Sequence, residues 1–143
     1  PAEAKRCTLT PKQVVTQFMT QFYIDKDVRG AFETWVDPGY IQHNPMAATG
    51  REAAIGFLEP FFKSNPAIRY EIKRVIADEQ TVAVEWEGDA VLKSGKAYAN
   101  QYCMVFTMRD GLICQLNEYY CTILADDCML PMLAEMRDAI PWE

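Results

Sequence analysis

The feature that most constrains this chain is a change of period part-way along it. Up to about residue 64 apolar side chains return mainly every three or four positions, interrupted by a short β-favouring stretch at residues 40–44, and from Ile68 onward they return at every second one. Helical spacing there gives way to a run of strands. Thr10-Pro11-Lys12-Gln13 reads as a capping box with proline at the first helical position, and Val14, Val15, Phe18, Met19 and Phe22 then share a face. This predicts an amphipathic helix over about 11 to 25. Asp27 can cap a second, shorter helix carrying Val28, Phe32, Trp35 and Val36, which Asp37-Pro38-Gly39 closes as a turn. Tyr40-Ile41-Gln42-His43-Asn44, ending at Pro45, predicts a brief edge strand. Thr49-Gly50-Arg51-Glu52 is a further capping box, opening a third helix with Ala54, Ile55, Leu58, Phe61 and Phe62 that bends at Pro60 and stops before Asn65-Pro66.

Strands follow. Ile68, Tyr70, Ile72 and Ile76 alternate with Arg69, Glu71 and Lys73, and after a connection near Asp78-Glu79, Val82, Val84 and Trp86 alternate with Ala83, Glu85 and Glu87. Beyond Ser94-Gly95-Lys96 a long apolar run reaches Met108, Asp110-Gly111 signals a hairpin, and a final run extends from Leu112 to Leu124. A terminal helix with Met129, Leu133 and Met136 closes the chain. Helices first and long strands afterwards define an α+β domain, in which a curved mixed or antiparallel sheet wraps as a cone around the N-terminal helices. The mouth of such a cone is a natural small-molecule site.

Composition narrows the class. The 143 residues form one domain, 1–143, large enough to remove roughly 70% of the unfolded surface from water. Fourteen basic against twenty acidic side chains give a net charge of -6, which disfavours nucleic acid and anionic membranes as partners. No apolar run has the length of a membrane span, and the N-terminal PAEAKRCTLTPKQ has no signal-peptide stretch, so a soluble, cytoplasmic protein is expected. Five cysteines without a CxxC pair predict reduced thiols, and a single histidine, His43, argues against a histidine-rich metal centre. With no phosphate loop and no HExxH, the expectation is chemistry without cofactor or metal. Seventeen aromatic residues exceed what a core of this size needs.

Three segments carry a family resemblance. Tyr40-Ile41-Gln42-His43-Asn44-Pro45 with Gly50-Arg51-Glu52-Ala53-Ala54, then Ser94-Gly95-Lys96 with Tyr98, Phe106 and Asp110-Gly111-Leu112-Ile113, and last Asn117-Glu118-Tyr119-Tyr120, resemble the SnoaL-like branch of the superfamily that includes nuclear transport factor 2, ketosteroid isomerase and limonene epoxide hydrolase. The resemblance spans positions 40 to 122. It implies a cone with a buried pocket and a homodimer formed on the outer face of the sheet. Since that superfamily holds isomerases, cyclases, dehydratases, hydrolases and binding modules, it does not by itself imply a reaction.

By the same resemblance His43 occupies a polar pocket position and Glu118 matches a catalytic aspartate of the last strand. An imidazole and a carboxyl facing one apolar pocket can exchange a proton near neutrality, as proton abstraction beside a carbonyl requires. The bland alternatives are a structural His43 and a Glu118 paired across the sheet. Glu87 is a candidate second acid, although Glu85, Glu87 and Asp89 read more simply as a solvated strand face. The arginine and tyrosine of the epoxide-hydrolase site are lacking, with Ile41 at the tyrosine's place, which disfavours epoxide hydrolysis. Tyr102 and Tyr120, with Phe18, Phe22 and Trp35, are the candidate substrate-binding aromatics. Cys121 reads as an inert thiol where relatives carry an aspartate.

The expected function is therefore a cofactor-independent lyase, isomerase or cyclase acting on a hydrophobic carbonyl compound such as a polyketide- or terpenoid-like metabolite. The alternative is a non-catalytic ligand-binding or protein-interaction module of the same fold.

Overall fold

The computed structural model describes residues 8–44, 48–92 and 95–125. The terminal helix expected around Met129, Leu133 and Met136 lies outside the described residues. Helix α1, Pro11–Met19, starts as the capping box requires: Thr10 Oγ1 accepts from Gln13 N–H at 3.2 Å, and Gln13 Oε1 accepts from Thr10 N–H at 2.9 Å. The expected helix to residue 25 does not continue in α form. Thr20–Ile24 is a π turn, whose extra residue lets two successive aromatics, Phe22 and Tyr23, both be buried.

Asp27 caps α2, Val28–Trp35, by accepting from Gly30 N–H at 3.1 Å. The Gln21 side chain ties this cap to the helix end, donating to Asp27 Oδ2 at 2.7 Å and accepting from Trp35 Nε1 at 2.9 Å. Strand β1, Val36–His43, follows at once and is longer than expected. Asp37-Pro38-Gly39, read as a terminating turn, is an irregularity inside β1, where the pairing slips between Val36 and Ile41 and Asp37 Oδ1 accepts from Gly39 N–H at 2.7 Å. An edge strand tolerates proline there because one of its sides needs no donor.

Helix α3, Arg51–Ser64, ends as predicted and contains Pro60. Its expected capping box does not form. The N-cap is Gly50 at φ 104°, and Thr49 Oγ1 instead accepts from the N–H of Gln42 at 3.1 Å, tying the loop to β1.

The sheet has the order β1-β5-β4-β3-β2, with β2 (Arg69–Ala77), β3 (Thr81–Val91), β4 (Ala97–Arg109) and β5 (Leu112–Tyr120) joined as antiparallel neighbours and β1 parallel to β5. It is curved and unclosed. Asp78 Oδ1 accepts from Gln80 and Thr81 N–H to turn β2 into β3, and Asp110 (φ 53°) with Gly111 (φ 75°) makes the left-handed hairpin turn between β4 and β5. The last strand stops at Tyr120, short of the expected Leu124.

Alternation divides the faces. Val82, Val84, Trp86, Met104, Phe106 and Leu116 are buried on the concave side against Val14, Val15, Phe18 and Phe22. Glu85, Glu87 and Asp89 stand on the convex side, where Arg74 reaches Glu85 at 3.6 Å and Arg69 reaches Asp89 at 2.7 Å. Among the described residues no helix is long and apolar enough to cross a membrane. Phe106→Ala should lower the unfolding free energy by about 3–5 kcal/mol in urea denaturation, whereas Glu85→Ala, breaking only an exposed ion pair, should change it by about 0–1 kcal/mol.

Candidate active site

The concave face leaves space that the helices do not fill. A cavity, open at its mouth, lies between the α1 region, α3 and the sheet. Its lining is mostly aromatic, from Phe18, Phe22 and Tyr23 on the helix side to Trp86, Tyr102 and Tyr120 on the sheet. Trp86 and Tyr102, a directly paired couple of β3 and β4, lie flat on each other at 4.1 Å and 12°. Tyr120 continues the row at 5.5 Å from Tyr102.

Among the described residues, one ionisable carboxyl enters this space. Glu118 belongs to the inward row of β5 with Leu116 and Tyr120, and its neighbour across the ladder is Met104. Glu118 is half-buried and lines the cavity, where a ligand can reach it. Desolvation by burial lifts its pKa from 4.5 to about 7, partly countered by a hydrogen bond from Asn44. Asn44 holds two groups at once: its Nδ2 donates to Glu118 Oε2, and its Oδ1 accepts from Tyr120 Oη at 3.0 Å. The alternation of β1 brings Asn44 in, together with Tyr40 and Gln42. Gln42 accepts from Tyr40 Oη at 3.3 Å and donates to the Ala48 carbonyl at 2.6 Å, which steadies the strand end.

The phenols stay protonated. Burial, with the negative charge of Glu118 adding to it, holds Tyr23 and Tyr40 well above the ordinary phenol range, and burial with the neighbouring tyrosines does the same for Tyr102. Tyr102 and Tyr98 share a hydrogen bond at 2.7 Å, and Asn100 donates to Tyr98 Oη at 2.9 Å. Beside Tyr102, the Trp86 indole Nε1 is buried and meets no acceptor among the described residues.

Of the residues singled out in the sequence, the structure brings Glu118, Tyr102, Tyr120, Phe18 and Phe22 to one cavity. His43 is not among them. It is exposed, one position out of step with Tyr40, Gln42 and Asn44, and pairs with the outward Asn117, so imidazole and carboxyl do not face each other. Glu87 is on the convex face with Lys73 Nζ at 3.5 Å, also outside the cavity. Trp35 is buried but donates to Gln21 beneath α2 rather than lining the space. Cys121 is exposed at the end of β5. The residues that sequence reasoning passed over are Asn44, Gln42, Tyr23, Tyr70 and Trp86. A strict two-residue count from the apolar Tyr40 reaches Gln42 and Asn44 and skips His43, and that count was the available signal.

Fold and cavity together define the nuclear transport factor 2-like class of α+β cones. The profile of the SnoaL-like domain matches residues 15–116, and the chain belongs to that family. Among solved structures it is similar to a SnoaL-like polyketide cyclase of Agrobacterium tumefaciens str. C58 (13% identity, 84% of this chain and 98% of that one, TM-score 0.69). It is likewise similar to a nuclear transport factor 2-like protein of Anabaena variabilis ATCC 29413 (24%, 76% and 87%, 0.64), and to TerC co-crystallised with polyporic acid (17%, 80% and 93%, 0.68). No curated protein sequence matches the chain.

Glu118 makes folding pH-dependent with a definite sign. Its folded pKa is raised, so its contribution is fully favourable below about 4.5, where both states are protonated, and is lost as pH rises towards about 7 because the unfolded chain ionises first. The difference in melting temperature between Glu118→Gln and the parent should open across that window in favour of the variant and close below it; a gap independent of pH would contradict the buried-acid description.

Proposed function

We propose that the protein is a cofactor-independent acid–base catalyst of the lyase, isomerase or cyclase type, acting on a hydrophobic carbonyl compound. The observation that carries this reading is the Glu118 carboxyl, its pKa raised to about 7, set in a mostly aromatic cavity where it is the one carboxyl among the described residues. The ionised form of Glu118 removes a proton from a carbon beside a carbonyl. The electron pair moves onto the carbonyl oxygen, and the protonated Glu118 then returns the proton at another position or to a leaving oxygen. A carboxyl with pKa near the working pH is present in both forms, so one residue can serve both steps.

Asn44 positions the base. By donating to Oε2 it fixes the carboxyl's rotation and directs the remaining lone pairs to the cavity, while Tyr120 fixes Asn44. The hydroxyls of Tyr102 and Tyr120 are the wall groups nearest in chemistry to an oxyanion partner. The aromatic rows match a flat, apolar substrate of the polyketide- or terpenoid-like kind. The names of similar solved structures, a polyketide cyclase and a protein crystallised with polyporic acid, support the same class. A homodimer across the convex face, where Ile41, Ile76 and Tyr119 stand exposed, belongs to this proposal.

The second reading is a binding module without turnover. His43 on the outer face favours it, since the proton partner expected for Glu118 is not beside it. A panel of polycyclic ketones and lactones, followed by mass spectrometry and thermal shift, separates the two. Under the catalytic reading Glu118→Gln loses at least about 10²-fold in turnover but keeps ligand affinity, and the parent's kcat/KM rises with pH through about 7. Binding with no product from any compound, equal in parent and variant, would establish the module instead.

A further inference from the structure

Two tyrosines close the inner end of the cavity. Tyr23 and Tyr70 line it and also line a second, open groove beyond, bordered by the apolar Ile24, Ile68 and Val91 and by the charged Lys26, Arg69 and Asp89. The same two rings are thus a wall with empty space on both sides. They meet edge to face at 4.9 Å and 73°, and Trp86 lies 4.5 Å from Tyr23 and 4.9 Å from Tyr70. Tyr23 is set by the core: it comes from the π turn, is 7% exposed, and its hydroxyl donates to Met104 Sδ at 3.9 Å.

Tyr70 is held differently. It sits on β2, directly opposite Gly88 of β3. A Cβ at residue 88 would come within 2.7 and 2.9 Å of two carbons of the Tyr70 ring. Gly88 does not have the left-handed backbone that makes glycine necessary in turns, so the glycine serves space, and the space is filled by the Tyr70 ring. Without that seat the ring would have to leave its place in the wall.

We propose that Tyr70, seated on Gly88, is a specificity-determining residue that sets the length of ligand the cavity accepts. The ligand class is an aromatic carbonyl compound with a linear apolar extension, its polar end at Glu118 and its tail directed to the Tyr23–Tyr70 wall. Removing the Tyr70 ring joins the cavity to the groove, whose apolar side chains Ile24, Ile68 and Val91 then receive a longer tail. The inference rests on the reading of this cavity as the ligand site, though not on catalysis there.

Calorimetric titration with a series of 2-acylnaphthalenes, from acetyl to octanoyl, tests it. In the parent, affinity should rise about fourfold per methylene up to the wall and then fall. In Tyr70→Ala the rise should continue to longer chains, with the longest homologues bound about tenfold or more tighter than by the parent. The same optimum chain length in both proteins would overturn the length gauge while leaving the ligand cavity in place. Failure of the whole series to bind the parent would remove both readings. The seat itself is read by a double-mutant cycle: Gly88→Ala should lower the melting temperature strongly in the parent and little in the Tyr70→Ala background, and equal losses in the two would overturn it.

Discussion

The structure depends on one requirement, that the concave face of a strongly curved sheet be filled from a single side. Helix α1 and the π turn after it do the filling. Phe18 packs edge-on against Phe106 at 5.9 Å, joining helix to sheet, and Phe22 packs edge-on against Phe32 at 5.3 Å, joining the helical segments to each other. Rings fill such a space incompletely. Their fixed planes leave the residual volume that becomes the cavity, and the π turn, by turning Tyr23 inward beside Phe22, determines where that volume ends.

Within that volume the energetics of one acid dominate. An aromatic surround that stabilises the fold also deprives Glu118 of hydration, and the two effects cannot be separated, because both come from excluding water. Asn44 offsets part of the loss with a single donor. The balance leaves the carboxyl near neutrality, where proton transfer in both directions is easy. The same loss of hydration pushes the phenols around it up as well, so they stay neutral and serve as donors rather than as additional bases.

Much of this was legible in the sequence, and the limits are instructive. The change of period at Ile68 gave the α+β order, Thr10 and Asp27 marked true helix starts, and Asp110-Gly111 marked a true hairpin. Thr49 illustrates a limit: its hydroxyl has two possible partners, the helix it precedes and the strand it follows, and only the folded loop selects Gln42. At the site, Glu118 rests on the family resemblance, and Tyr102 and Tyr120 on the need of a buried hydroxyl for a partner; all three line the one cavity. His43 attracts notice by its rarity, yet rarity carries no direction, whereas the phase of β1 does and points to Asn44. Tyr70 and Gly88 are invisible without the register of β2 on β3, since neither residue signals the other along the chain.

Among the described residues, strand β1 has a neighbour on one side only, and its pairing to β5 is broken by a slip. The residue that restrains the carboxyl is therefore delivered by the most weakly tied margin of the sheet. Any opening of that margin would release the amide and admit water, and the acid would then return towards its ordinary strength. Protonation and opening would thereby be linked, and a bound molecule that held the margin shut would set the acidity of the group it meets.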